Sequence, residues 1–399
     1  MTKPENTPQG SSTPRDTADY EASEAAAIAS GKRAFERASW LFDRRNDRTN
    51  GFFVELRDDP INPDFSEAHG VDGNGTKLFL SAWAHDYRSC AIDGIAMNAN
   101  DLATVLNVFP KVIDIYLACQ THVEQDHMGE IMNGFVDALE MIKIPFAPWN
   151  LNIGKLETAS LDEMISLGIQ GHGVDFGIVM SGLIRKDRIP NLDPQPGQYI
   201  VGVTSSGLHS NGYTGARHAL FVNSPKLEPR AEWQSQYHGK YMPNDTHPIL
   251  EGKTILEAMA VPTALYLVEA AIIGQQFDTR EIYGVNITGN GLHNFNRVGK
   301  DVAFEITDPL DPHPIHQLLA QESGWTPEQA YTKQNMGMGF AYVVPDLDTT
   351  EAVVRLINDR GENQASIVGQ VRENSGPELK TILHYPDERK PLEFIGYSN

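Results

Sequence analysis

At 399 residues the chain is longer than the roughly 250–300 over which one hydrophobic core keeps growing, so two domains are expected. A formal charge of -21 has the wrong sign for a nucleic-acid surface, which needs a positive field to displace counterions. Hydrophobic residues make up 40%, yet no apolar run approaches the ~20 residues that cross a bilayer, which excludes a membrane-spanning helix. Residues 1–20 are rich in Pro, Ser, Thr and charge without an apolar core, and read as a disordered tail with no signal peptide. Cys90 and Cys119 are too few for a disulfide framework and match no zinc spacing, which fits a cytoplasmic protein.

From Tyr20 to Asp47, Phe35, Ala38 and Phe42 recur at helical spacing and predict one or two helices, whereas Asn50–Gly70 has no clear period. Leu78–Ala82 reads as a strand or helix edge, Val112–Ala118 as a buried strand, and His122–Ile142 as a helix with one apolar stripe. The end of KLETASLDEM looks helical. Val174–Ile184 and the YIVGV run then read as strands, followed by Ile282–Thr288, Val302–Ile306, Gly339–Val344 and Ile367–Val371, with helices over Leu256–Ile273 and Thr350–Asp359. This alternation predicts an α/β chain with mixed or mostly parallel sheets. GIQGHG, Gly168–Gly173, breaks all periodicity and places the domain boundary, giving 21–170 and 171–390.

Three segments have compositions suited to anions or cations. In VGVTSSGLHSNGYTGARHAL an apolar strand stops at a loop of Ser205, Ser206, Gly207, Ser210, Asn211 and Gly212, then resumes as a helix. Hydroxyls and unhindered N–H groups at a helix start favour phosphate, although an ordinary capped connection has the same layout. GVDGNGTKL, Gly70–Leu78, sets Asp72 and Lys77 around Gly73 and Gly75 without Walker A spacing; a plain Gly-rich turn with a solvated lysine is the alternative. AIDGIAMNANDLATV places Asp93 and Asp101 in small, apolar company, where carboxylates must be paired, capping or metal-bound. His122, Glu124, Asp126, His127 and Glu130 read as a solvated helix start, because histidines five apart do not share a helix face. His313 and His316 lie among prolines and read as loop.

SSGLHSNGY closely resembles the SSG-x-HSNGY signature of the aminoimidazole ribonucleotide synthetases, also called phosphoribosylformylglycinamidine cyclo-ligases. GVDGNGTKL resembles that family's GxDGVGTKL with Asn74 as the difference, and AIDGIAMNANDL resembles GID-x-VAM-x-VNDL. LETA, with Glu157 and Thr158, is similar to GGETAEMPG, but Lys155 and Leu156 replace its two glycines. ITGNGL, with Gly289 and Gly291 around Asn290, resembles ITGGGL, and NMGMGF resembles FNMGxGM. VPTALYL is similar to PTRIYV except that Ala264 replaces the arginine.

The resemblance runs from about Gly70 to Val371. It implies an α/β (α+β) two-domain synthetase fold: an N-terminal mixed sheet whose helices and strands form a homodimer contact and bind ATP and metal, and a C-terminal mixed sheet covered by helices that binds substrate. The implied reaction closes the imidazole ring of aminoimidazole ribonucleotide from formylglycinamidine ribonucleotide, releasing ADP and phosphate. By resemblance Asp72, Asp101, Glu157 and, less strongly, Asp93 hold Mg2+. Gly73, Gly75, Thr76, Lys77, Asn100 and Asp101 take ATP. Ser205, Ser206, Gly207, Ser210, Asn211, Gly289 and Gly291 take the substrate or a phosphate. His209 would move a proton, with Lys77 and Asn211 beside it. The altered glycines and missing arginine leave open a nucleotide-binding relative without turnover, or another ATP-using enzyme of the superfamily.

Overall fold

The computed structural model describes residues 51–166, 169, 171–374, 376, 378–385 and 390–397, with residues 26 and 29–31 in a helical turn. The tail expected at 1–20 and most of the helical stretch expected to 47 lie outside the described residues. Sheet 1 holds β1 (Glu55–Asp58), β2 (Phe65–Asp72), β3 (Phe109–Cys119), β4 (Asn152–Ser160) and β5 (Val174–Arg185), in the order β1-β2-β5-β3-β4. Sheet 2 holds β6 (Tyr199–Thr204), β7 (Tyr283–Asn286), β8 (Val302–Ile306), β9 (Met338–Val344), β10 (Ala365–Glu373), β11 (Lys380–Leu383) and β12 (Leu392–Ile395). Its order is β12-β11-β8-β10-β6-β9-β7. Two mixed sheets with helices confirm the α/β expectation. The strands are not mostly parallel, however: among the described residues only β3 with β4 and β8 with β11 pair in parallel within the sheets. Alternation of strands and helices along a sequence does not fix strand direction, because antiparallel partners need not be neighbours in the chain.

Strand β5 shows how composition selects a face. Val174, Phe176, Ile178, Met180 and Ile184 are buried, while Asp175, Val179 and Arg185 are exposed, the period-2 pattern of a sheet packed on one side. Because β5 pairs with both β2 and β3, the boundary expected at Gly168–Gly173 precedes the central strand of sheet 1. The chain leaves that sheet only after Arg185. β9 is buried at all seven positions, as its unbroken apolar run requires between two neighbouring strands under a helix layer.

The Tyr87–Ala103 helix starts at Asp86, whose carboxylate accepts the Ser89 N–H at 3.1 Å. It is buried over most of its circumference, between sheet 1, the Met128–Met141 helix and the Leu267–Gln276 helix. A single apolar cluster therefore runs from Ile113, Ile115 and Leu117 on β3, through Ile95 and Leu102, to Tyr266, Val203 and Phe340 at sheet 2. The two sheets share this core, and residues carried by the helix are held against both halves of the chain.

Two expected elements differ. The Leu256–Ile273 helix is split into Ile255–Met259 and Leu267–Gln276, because Pro262 interrupts the ladder and biases its neighbour away from helix. The end of KLETASLDEM forms a turn at 162–164 rather than a helix, and Glu157 before it lies on the parallel edge strand β4, where pairing with β3 overrides weak local preference. Among the described residues no helix is long and apolar enough to cross a membrane.

Candidate active site at the junction of the sheets

Lys77 and Asp93 form the buried centre of the junction. The lysine Nζ lies 2.9 and 2.8 Å from the two Asp93 carboxylate oxygens and donates to the Val261 carbonyl at 2.7 Å. Asp93 Oδ1 also accepts from Thr263 N–H at 2.8 Å, from the Thr263 hydroxyl at 2.7 Å and from the Ser210 hydroxyl at 3.2 Å. Burial pulls the ammonium below the ordinary lysine range and the adjacent carboxylate opposes it. These contacts bear on two of the expected site residues. Asp93 Oδ1 takes four donors while Oδ2 faces Lys77 alone, and the Lys77 ammonium is directed inside the protein. Together they clamp the Gly70–Leu78 loop, the Tyr87–Ala103 helix and the 261–263 segment to the Ser210 loop.

Asn100 likewise turns inward. Its side chain donates to the Ala264 carbonyl at 2.8 Å and accepts the Tyr266 N–H at 3.0 Å, fixing the segment that follows Pro262 and leaving its amide committed to backbone. Asn74 is buried, and its amide donates to the Cys90 carbonyl, so this departure from the family motif anchors the loop to the helix. Gly73 has no room for a side chain, since a Cβ would lie 2.5 Å from the Phe176 carbonyl oxygen. Gly75, at φ +57°, has open space around it. Beyond it the Thr76 hydroxyl meets the Thr214 hydroxyl at 3.0 Å.

The serine loop is held from beneath. His313 Nε2 donates to the Ser205 carbonyl at 2.8 Å, while His316 Nε2 and the Asn335 amide donate to the Gly207 carbonyl at 3.2 and 2.8 Å. His316, expected to be loop, is thus a buried support. Ser206 donates its hydroxyl to the Pro262 carbonyl at 2.6 Å. His209 is buried at φ +57°, and its Nε2 accepts the Ser206 N–H at 3.2 Å. Burial, with Lys77, His316 and His313 nearby, pushes this imidazole down to about 3. The ring is therefore held neutral, with its Nε2 committed to the Ser206 backbone. Gly212, at φ +71°, precedes the Tyr213–Leu220 helix, and Asn211 faces Gly289, where a Cβ would lie 3.6 Å from its Oδ1.

Asp72 and Asp101 are the carboxylates left without an ion-pair partner among the described residues of this junction. Asp72 accepts the Gly73 N–H at 2.7 Å, and burial raises its carboxyl above the usual range. Asp101 accepts the Asn286 amide at 2.8 Å and is pushed up to about 7, first by burial and then by the charge of Asp72, against the pull of Asn286 and Arg297. Two carboxylates that repel each other at a partly open junction suit a divalent cation. Glu157 is not with them. Its partner in register is Tyr116, whose next partner is Gly177, placing it on the outer face of sheet 1. It is exposed and paired with Lys155 at 2.9 Å. Asp72 is in register with buried Ile178 and shares the face turned to the helices.

Residues 58–161 match the family model described as AIR synthase related protein, N-terminal domain. The phosphoribosylformylglycinamidine cyclo-ligase of Methanosarcina barkeri is 32% identical over 294 residues, spanning 72% of this chain and 78% of that relative. The chain belongs to the phosphoribosylformylglycinamidine cyclo-ligase family. The Methanosarcina mazei cyclo-ligase is 31% identical over 294 residues, again 72% of this chain and 78% of the relative. That of Methanopyrus kandleri is 34% identical over 221 residues, 55% of this chain and 57% of the relative. Among solved structures, a chain of a HypE–HypF complex superposes with a TM-score of 0.54 at 12% identity, covering 92% of this chain and 99% of that one. HypE of E. coli, a hydrogenase maturation protein, gives 0.51 at 13% identity, with 82% and 84% covered. At such identities the likeness shows the shared fold.

Within this cyclo-ligase family member, two residues complete the junction without a sequence motif that marks them, Thr263 and Asn286. Thr263 lies in VPTALYL, next to Ala264, which stands where the family motif has an arginine. Asn286 precedes ITGNGL, and nothing local marks it. Only the packing of β7 beside the Tyr87–Ala103 helix brings its amide to Asp101.

Proposed function

We propose that this protein closes the imidazole ring of aminoimidazole ribonucleotide from formylglycinamidine ribonucleotide, consuming ATP and releasing ADP and phosphate. One observation carries the reading: in a member of the cyclo-ligase family, Asp72 and Asp101 stand unpaired where the Gly70–Leu78, Ser205–Gly212 and Gly289–Gly291 loops converge. An amide oxygen leaves poorly, so the ring closure needs it phosphorylated before the amidine nitrogen attacks. Such a step depends mainly on positioning and charge neutralisation. Asp72 and Asp101 offer hard oxygen ligands and would hold Mg2+, which neutralises phosphate charge when bound. Gly75 and Thr76 line the nucleotide side, with unhindered backbone at Gly75. Ser210, Asn211 and Gly289 line the substrate side, with Ser205, Ser206, Gly207 and Gly291 shaping its backbone. Lys77, Asp93 and Asn100 act as positioning residues that keep the two sides in register.

A cytoplasmic homodimer belongs to the same reading. The described helices cover one face of sheet 1, and the other exposes Val71, Tyr116 and Val179, an apolar face suited to a second copy. The commitment of Lys77 to Asp93 and the separation of Glu157 from Asp101 favour one rival, a relative that binds nucleotide without turning it over.

Magnesium-dependent ADP formation by purified protein, with and without formylglycinamidine ribonucleotide, separates the two. Substrate-dependent ADP release supports the cyclo-ligase. Tight ATP binding without turnover supports the rival. Asp101→Asn is expected to weaken magnesium–nucleotide binding at least about tenfold while leaving the urea midpoint nearly unchanged. Equal loss of folding and binding would assign Asp101 a structural role instead.

A further inference from the structure

Three histidines far apart in sequence meet at the end of sheet 1 where β3 stops and β5 begins. His85 ends the Leu78–Ala84 helix at φ +49°, His127 closes the single π turn Val123–His127, and His172 sits between β4 and β5. One ring nitrogen from each lies within 4.8 Å of the others. The ring centroids are 4.8 Å apart for His85 and His172, and 5.8 Å for His85 and His127. We propose that His85, His127 and His172 bind one divalent transition-metal ion of the zinc class, with a further coordination position left to solvent or an exogenous ligand.

The surroundings are built to hold these rings. The buried Gln120 side chain accepts the N–H groups of Gly171 and Gly173 at 3.2 and 2.9 Å, gripping the loop on both sides of His172. Its amide donates onward to the Asp162 and Ile165 carbonyls at 3.2 and 3.0 Å. The Tyr87 hydroxyl donates to the His172 carbonyl at 2.8 Å. Gly171 is required at φ +86°, since a Cβ there would lie 2.2 Å from the His122 ring, which stacks on His172. His127 Nδ1 lies 3.3 Å from the Glu130 carboxylate, the contact that fixes the tautomer of a ligating histidine and leaves Nε2 for the metal.

His172 Nδ1 is buried and has no hydrogen-bond partner. Tetrahedral zinc with bonds of about 2.0–2.1 Å needs nitrogens about 3.4 Å apart, so modest side-chain rotation closes the set. Three imidazoles without a thiolate select zinc, cobalt, nickel or copper over magnesium. The site is thereby chemically distinct from the Asp72 and Asp101 carboxylates.

The test uses the full chain, stripped of metal by chelation and dialysed. Calorimetric titration with Zn2+ is expected to give one equivalent per chain, and Co2+ to produce the intense visible absorption of a tetrahedral nitrogen site. His172→Ala and His127→Ala are each expected to weaken Zn2+ binding at least about 100-fold, beyond the effect usual for outer-shell partners. His85 is exposed, so His85→Ala tests the site without endangering the fold. It should match their loss of affinity while the metal-free unfolding midpoint stays unchanged. Wild-type affinity weaker than about 100 μM, or undiminished binding in His85→Ala, would overturn the proposal.

Discussion

Lys77 illustrates why a residue type does not by itself announce its role. In a glycine-rich loop beside an acid it has the composition of a phosphate ligand, but Asp93 and the Val261 carbonyl take its ammonium. Removing one partner of such a buried pair leaves an uncompensated charge, so Asp93→Asn is expected to destabilise the protein by about 3–5 kcal/mol. Urea unfolding measures this, and a loss below 1 kcal/mol would show that Lys77 finds solvent instead. Gly291 is constrained in a different way. At φ +51°, a Cβ would lie 1.9 Å from the Tyr331 carbonyl oxygen. Gly291→Ala should therefore cost at least about 2 kcal/mol through strain and displaced backbone, read as a lowered unfolding midpoint.

At the level of elements, the Leu267–Gln276 helix carries an acid into the shared core. Glu269 is fully buried, accepts the Asn363 amide at 3.0 Å, and is pushed up to about 7, chiefly by burial. A carboxyl whose folded value is raised contributes its stability below the unfolded value near 4.5 and loses it as pH rises through 7. The span corresponds to about 3 kcal/mol at most. Glu269→Gln abolishes this dependence. Its stability relative to the wild type should grow between pH 4.5 and 7 and level off above, as followed by urea midpoints at pH 5 and pH 8; a gap constant with pH would refute it. The strands and helices themselves follow their apolar periods closely, β3 and β8 most directly. Where the expectation differed, at β4 and at the break near Pro262, ladder pairing or a missing N–H decided the outcome.

For the whole molecule, the outer face of sheet 1 is the feature with the largest consequence. Exposed Val71, Tyr116 and Val179 share it with Glu157 and Lys155. If a second copy covers this face, Val179→Lys should shift the protein toward monomer in sedimentation velocity while its unfolding midpoint changes little. An unchanged oligomeric state would remove the face from the dimer reading. The two sheets are joined by one continuous apolar cluster around the Tyr87–Ala103 helix. That common core is why acids on the helix and amides on the strand and loop of the other half reach the same junction.

Sequence alone determined the family, through SSGLHSNGY and GVDGNGTKL, and most strands and helices, through apolar periods that local burial enforces. It also pointed to the segments that converge at the junction, because glycines, hydroxyls and acids cluster there for reasons visible in one dimension. Which of those side chains stay available was settled by tertiary structure. Asp93, Lys77 and Asn100 are committed to partners 164 to 184 residues away and His209 is buried, whereas Asp72 and Asp101 keep no ion-pair partner among the described residues of the junction. Strand direction, the membership of β5 in sheet 1, and the meeting of His85, His127 and His172 likewise depend on long-range pairing. A free carboxylate and a neutralised one read identically in sequence; the low dielectric and the donors of the folded interior make them different.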